Sequence, residues 1–117
     1  MLAAPERFSP DGRARLIAPE HELYLSAASA WEIAIKSSLG RLRLPVDPAA
    51  YIRTRLFQSQ TVPLAITHEH ALRVADLPIH HRDPFDRLLI AQAQLEGLAI
   101  MTSDVHFSAY DVEVLGT

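Results

Sequence analysis

The sequence predicts an α/β domain with a mainly parallel sheet and helices on both faces, and three observations carry that reading. Short apolar runs of strand length alternate with longer segments of helical spacing. The segment from Pro84 to Glu96 is so apolar that it has to lie inside the protein. The run LAIMT, Leu98 to Thr102, is apolar almost without a break, as a strand covered on both faces is.

Taken in order, residues 1–8 are an irregular lead-in, and Ser9, Pro10 and Asp11 read as the cap and first turn of a short helix reaching about Ala18. Pro19 ends it. Glu22 to Ser26, ELYLS, is a short strand. Ser29 to Glu32 has the spacing of a capping box, opening a helix through Leu39 that Gly40 closes. Arg41 to Pro48 is a loop with Leu42 and Leu44 tucked against the body, and a further helix covers about Ala49 to Gln58.

Thr61 to Ile66, TVPLAI, is a strand whose Pro63 places it at an edge. Thr67 caps a helix over His68 to Asp76, and Leu77 to Arg82 leads into the central helix. There Asp83 is the N-cap, Pro84 the first helical residue, Asp86 the third, and Gly97 the stop. A helical turn around Val105 to Ala109 and a strand from Val112 to Leu115 complete the chain.

Composition narrows the function. The 117 residues, 49% hydrophobic and 21% charged, are expected to form a single domain, 1–117. There is no cysteine, hence no disulfide and no thiolate metal site. No apolar run approaches membrane-spanning length and MLAAPERFS does not read as a signal peptide, so a cytoplasmic location is expected. A net charge of −3 argues against indiscriminate nucleic-acid binding, though not against an enzyme that meets phosphate through divalent cations.

Ligands of parallel sheets gather beyond the carboxyl ends of the strands. Glu32 follows the first such strand, Asp104 lies two residues past LAIMT, and Asp86 begins the central helix. Three carboxylates at one sheet edge have the makings of an oxygen-rich divalent-cation site. Each also has a plain structural reading. Glu32 completes a capping box, Asp104 caps a turn and Asp86 caps a helix.

Arg82 and Arg87 flank the acids and read either as backbone-steering cations or as ordinary ion pairs. The paired histidines His68/His70 and His80/His81 lack zinc-site spacing and read as exposed loop and helix-end residues. Trp31 and Phe85 read as core. The Trp31–Leu39 and Tyr51–Leu56 helices are candidates for a partner groove or a dimer face, against ordinary packing.

The runs SAASAWEIAIKSSLGRLRLP and ITHEHALRVADLPIHHRDPFDRLLIAQAQLEGLAIMTSDVHFSAY strongly resemble PIN-domain proteins, most nearly the VapC toxins of bacterial type II toxin–antitoxin systems. The resemblance extends over nearly the whole chain. It implies a PIN-like three-layer sandwich and a Mg²⁺-dependent endoribonuclease, with Mn²⁺ as a substitute. It also implies a homodimer that hydrolyses RNA phosphodiesters and is neutralised by a cognate VapB-type antitoxin.

Motif by motif, the family's acid in S-x-W-E falls on Glu32, its acid before the buried helical run on Asp86, and its acid in T-x-D on Asp104. The resemblance makes these the metal-binding and catalytic residues, and leaves Asp83 a capping role. One departure stands out. Family members begin with an apolar strand ending in a metal-binding aspartate, and Met1 here already stands at the segment that follows it. Glu6 and Asp11 sit in the wrong context to replace that aspartate.

The expectation is therefore a PIN domain truncated at the N-terminus, its first strand missing and the centre of its sheet open between ELYLS and LAIMT. Two functions follow from the resemblance. One is the metal-dependent ribonuclease. The other is a catalytically impaired remnant that only binds an antitoxin or a sister subunit.

Overall fold

The computed structural model describes residues 14–80, 82–102 and 104–116. The elements run β1 (Ala14–Ile17), β2 (Leu23–Ser26), α1 (Ala27–Ser38), α2 (Pro48–Ser59), β3 (Val62–Leu64), α3 (His68–Arg73), α4 (Pro84–Glu96), β4 (Ala99–Thr102) and β5 (Val114–Leu115). Short 3₁₀ turns follow α3 at Val74–Asp76 and β4 at Val105–Ala109. The five strands form one sheet in the order β3-β2-β1-β4-β5. β2–β3 and β4–β5 pair in parallel, whereas β1 is antiparallel to both its neighbours. Four strands thus point one way, and only the central one is reversed.

That central strand corrects two expectations. Residues 14–17 are extended where a helix through Ala18 was expected, and they fill the centre of the sheet, which was expected to stand open. The part of the expected helix before residue 14 lies outside the described residues. The physical reason is the demand of unpaired backbone. A gap between β2 and β4 would leave two rows of N–H and C=O groups unsatisfied in the interior, and one inserted strand satisfies both. Its direction is set by its link to β2. The tight turn joins the Ala18 N–H to the Glu22 carbonyl at 2.9 Å and the His21 N–H to the Ala18 carbonyl at 2.8 Å. So short a connection permits only an antiparallel pair, and His21 takes a left-handed φ of 68° to close it.

The core lies between the sheet and α4. Leu16 and Ile100, cross-strand partners on β1 and β4, pack with Leu89, Ile90 and Ala93 of α4 and with Phe107 and Tyr110. The opposite faces of the same strands are covered too, since Ile17 and Ala99 are also buried. β3 is an edge strand, which tolerates the missing N–H of Pro63.

Helix ends follow local chemistry. Asp47 caps α2 by accepting from the Ala50 N–H, with Pro48 in the first turn. Thr67 and His70 form a reciprocal capping box at α3. Asp83 Oδ1 accepts from the Phe85 and Asp86 N–H groups to start α4, which ends at Gly97 with φ 68°. The start of α1 differs from expectation. Its cap is Ser26, whose Oγ accepts from the Ala28 N–H, so Ser29 lies inside the helix and makes no capping box with Glu32.

One polar residue lies wholly within this core. Gln92, on α4, is completely buried; its Oε1 accepts from Ser26 Oγ and its Nε2 donates to the Ala65 carbonyl at 3.3 Å and, more weakly, to His70 Nδ1 at 3.4 Å. The His70 ring is buried as well, against the expectation of an exposed helix-end histidine. Its Nδ1 accepts from the Thr67 N–H, so Nε2 carries the proton and donates to Glu96 Oε2 at 2.7 Å.

Two stability predictions follow from these buried polar groups. Gln92→Leu keeps the volume of the site but strands Ser26, the Ala65 carbonyl and His70, and is expected to cost about 1–3 kcal/mol in a urea titration. Tyr51 behaves oppositely, because its buried hydroxyl finds no hydrogen-bond partner among the described residues and burial pushes its ionisation upward. Tyr51→Phe is expected to leave stability unchanged or raise it by up to ~1 kcal/mol, and to lessen the loss of stability above about pH 10, where the unfolded phenol ionises first.

Candidate functional site

The carboxyl ends of β2 and β4 open on the same edge of the sheet, and because β1 is reversed its amino-terminal end also arrives there. Ala14 lies opposite Thr102, and Arg15 opposite Met101. Beyond β2 the chain turns directly into α1; beyond β4 it passes through Asp104 into a 3₁₀ turn. α4 begins at Asp83 and packs on both α1 and β4.

Glu32 sits in the second turn of α1 with its side chain only 11% exposed, and Oε2 is 2.9 Å from the Nζ of Lys36, one turn further on. A carboxylate this far from water needs a compensating charge, and Lys36 supplies one. Asp86 is the third residue of α4 and half-buried; its N–H is held by the Asp83 cap at 3.1 Å, and its carboxylate lies at the positive end of the helix. Asp104 is exposed. Its N–H donates to Thr102 Oγ1 at 3.0 Å, while Oδ1 accepts from the His106 N–H at 2.9 Å and meets the His106 ring Nδ1 at 2.8 Å.

The starts of α1 and α4 come together. The Trp31 and Phe85 rings touch edge to face, with centroids 5.1 Å apart and planes at 75°. Glu32 and Asp86 each directly follow one of these touching residues. Asp104 does not join them in a ready cluster. Among the described residues, no three His, Asp or Glu side chains gather in a way that could hold a metal ion. The donor type suits Mg²⁺ or Mn²⁺, which prefer carboxylate oxygen, but the arrangement as it stands does not fit one. Two of the three acids are instead occupied by a lysine and a histidine of their own chain.

The same edge carries positive charge. The Arg15 guanidinium is held below its ordinary value, chiefly by burial and then by the nearby positive charge of Arg55 on α2. Arg87, a candidate for steering a phosphate backbone or forming an ion pair, engages carbonyls of its own chain. Its Nη1 donates to the Pro78 carbonyl at 2.9 Å and its Nη2 to the Val74 carbonyl at 3.0 Å, clamping the loop that leads to α4. Arg82 is exposed just ahead of the Asp83 cap. Trp31 corrects another expectation, being 58% exposed rather than core.

Sequence reasoning passed over Ser26 and Gln92 and set His70 at the surface, where the structure buries it. A signal was present: Gln92 stands in the middle of LLIAQAQL, the most apolar helical run in the chain. A polar residue there has to find partners inside, and its partner Ser26 sets where α1, and with it Glu32, begins.

The family model for the PIN domain matches residues 6–113. Over 50 residues, 43% of this chain, the sequence is 46% identical to a protein named Ribonuclease VapC16 from Mycobacterium tuberculosis. That stretch is 36% of the relative's own length, so the chain matches little more than a third of it. No solved structure matches the chain. No helix among the described residues is long and apolar enough to cross a membrane. With a match across almost all of its length, the chain belongs to the PIN-domain family.

Proposed function

We propose that this chain carries the catalytic carboxylates of a VapC-like endoribonuclease, a divalent-metal-dependent hydrolase of RNA phosphodiesters neutralised by a VapB-type antitoxin. The observation that supports this most is the contact of Trp31 on α1 with Phe85 on α4, the residues directly before the buried Glu32 and the helix-start Asp86. Burying an acid is costly, and a fold that does so at the edge where ligands of such sheets bind is spending stability on chemistry. The name of the mycobacterial relative supports the same reading.

In this reading Asp86, Glu32 and Asp104 are the metal-binding and catalytic residues. A bound Mg²⁺ or Mn²⁺ would supply an activated water and neutralise charge on the phosphate. The chain's own residues set what that binding demands. Glu32 is paired with Lys36 and Asp104 with the His106 ring, so a cation held by these carboxylates would have to compete with those partners.

A second reading has its own observation. Phe57 on α2 is 85% exposed and Leu39, closing α1, is 60% exposed, so the two packed helices leave large apolar side chains uncovered. Together with carboxylates already satisfied internally, this favours a module whose remaining task is to bind an antitoxin or a second subunit.

Calorimetric titration of Mn²⁺ into the folded chain separates the two. Micromolar binding that disappears in Asp86→Asn, with Mg²⁺-dependent cleavage of single-stranded RNA lost in the same variant, is the result expected of the nuclease. Absence of binding in a chain shown to be folded removes that reading and leaves partner binding. Lys36 provides a second check. Lys36→Gln frees Glu32 from a pair of the kind worth ~0.5–1 kcal/mol, and is expected to tighten Mn²⁺ binding by about 2- to 5-fold. Weaker binding in that variant would mean Lys36 helps the site rather than competing for it.

A further inference from the structure

We propose that Trp31, braced by Phe85, is a stacking platform for an unpaired RNA base next to the phosphate to be cleaved. The proposal rests on the nuclease reading of the neighbouring carboxylates and adds to it the part of the substrate that this end of the molecule grips.

The exposure of Trp31 is the starting point. It is the chain's sole tryptophan, and a residue with so much apolar surface is normally buried to a large extent. Here 58% of it faces solvent. The ring is nevertheless fixed, because it meets Phe85 edge to face at 5.1 Å. In that geometry the two planes stand nearly perpendicular, at 75°, so the pair cannot cover both faces of both rings. A rigid aromatic with an open face is what an unstacked base needs, and such stacking tolerates any base because every base has a flat face.

Position supplies the second argument. Trp31 directly precedes Glu32, and Phe85 directly precedes Asp86. The aromatic pair and the acid pair are therefore built from the same two helix starts, one residue apart on each. On this proposal a nucleotide whose phosphate is held near the acids would set its base against Trp31, one residue along the chain from Glu32. Charge points to the same occupant. With a net charge of −3 the chain gains little from overall electrostatic attraction to a phosphate backbone, so a contact with the base adds what overall charge does not. Arg82, exposed on the loop that leads into α4, lies three residues before Phe85.

A helical peptide would need a row of large apolar side chains along α1. The exposed neighbours of Trp31 one turn away are Ala27 and Ala34. The next large exposed side chain is Leu39, about 12 Å along the helix axis, at the end away from the carboxylates.

The sole tryptophan is its own reporter. Titrating an unstructured oligouridylate into the chain is expected to quench its emission, whereas an abasic oligomer with the same phosphates leaves it unchanged. In anisotropy with labelled oligouridylate, Trp31→Ala is expected to weaken binding by roughly 5- to 150-fold and Trp31→Phe to retain most of it. Circular dichroism and a thermal melt establish that the exposed-site variants are folded.

Equal quenching by the abasic oligomer overturns the proposal, as does binding that is indifferent to Trp31→Ala. A spectral change that follows protein concentration alone, with sedimentation showing a dimer, would assign the ring to a second copy and also overturn it. The two readings fail separately. Quenching without cleavage retires the nuclease and keeps the platform. Cleavage that needs Asp86 but not Trp31 does the reverse.

Discussion

The interior of this protein depends on satisfying one carboxamide. Gln92 lies on the helix that the rest of the chain packs around, and no water reaches it. Its two ends need partners of opposite kind, and the fold provides them from different places: a hydroxyl from the end of β2 and a carbonyl from the segment after β3. The same hydroxyl then caps α1, and the histidine that receives the weaker contact caps α3. Two strand-to-helix crossings are thereby fixed to one side chain. An apolar residue could fill the space but would specify neither crossing, and the Ser26 hydroxyl proton and the Ala65 carbonyl would lose the partner it provides.

A similar accounting explains the reversed central strand. Hydrogen bonds along β2 and β4 can be completed by a segment running in either direction, so pairing alone does not choose. The choice is made by the short turn through His21, which leaves no room for a crossover. Leu16 then lands on the α4 side and Ile17 on the other, and both faces close. The reversal has a chemical consequence as well. It delivers the amino-terminal end of the strand, with the half-buried Arg15, to the edge where the acids lie.

What was legible in the sequence divides along these lines. α4 could be read almost residue by residue, because Asp83, Pro84 and Gly97 act on their own backbone neighbours and need nothing distant. The same holds for Thr67 at α3 and for Pro63 on an edge strand. Errors arose where a distant partner decides. Ser26 and Ser29 are both plausible caps by local rules, and Gln92 selects the first. Residues 14–17 read by local rules as the end of a helix, but their pairing partners in space make them a strand. Trp31 looked like core by composition alone, and whether a neighbour covers an indole cannot be read from spacing. Arg87 looked functional beside two aspartates, yet loop carbonyls already engage it. For the candidate site, the three acids were legible as residues, but how they are distributed was not.

That distribution carries its own logic. Without a cation, carboxylates drawn to one sheet edge repel one another and pay for lost hydration, so a stable chain gives each a separate partner. Lys36 one turn from Glu32, the His106 ring on Asp104, and the helix start at Asp86 are three different solutions to that single problem. An exposed histidine pair and a partly exposed lysine pair each contribute little in water, far less than a divalent ion gains from several carboxylates. Internal pairing of this kind therefore does not oppose a metal site in principle; it sets the threshold that an incoming ion has to overcome. The aromatic pair at the same helix starts is under no such constraint, because its open ring face costs the fold apolar burial whether or not an ion is bound. Exposed apolar surface held rigid beside weakly satisfied acids is the combination by which this end of the molecule differs from its core.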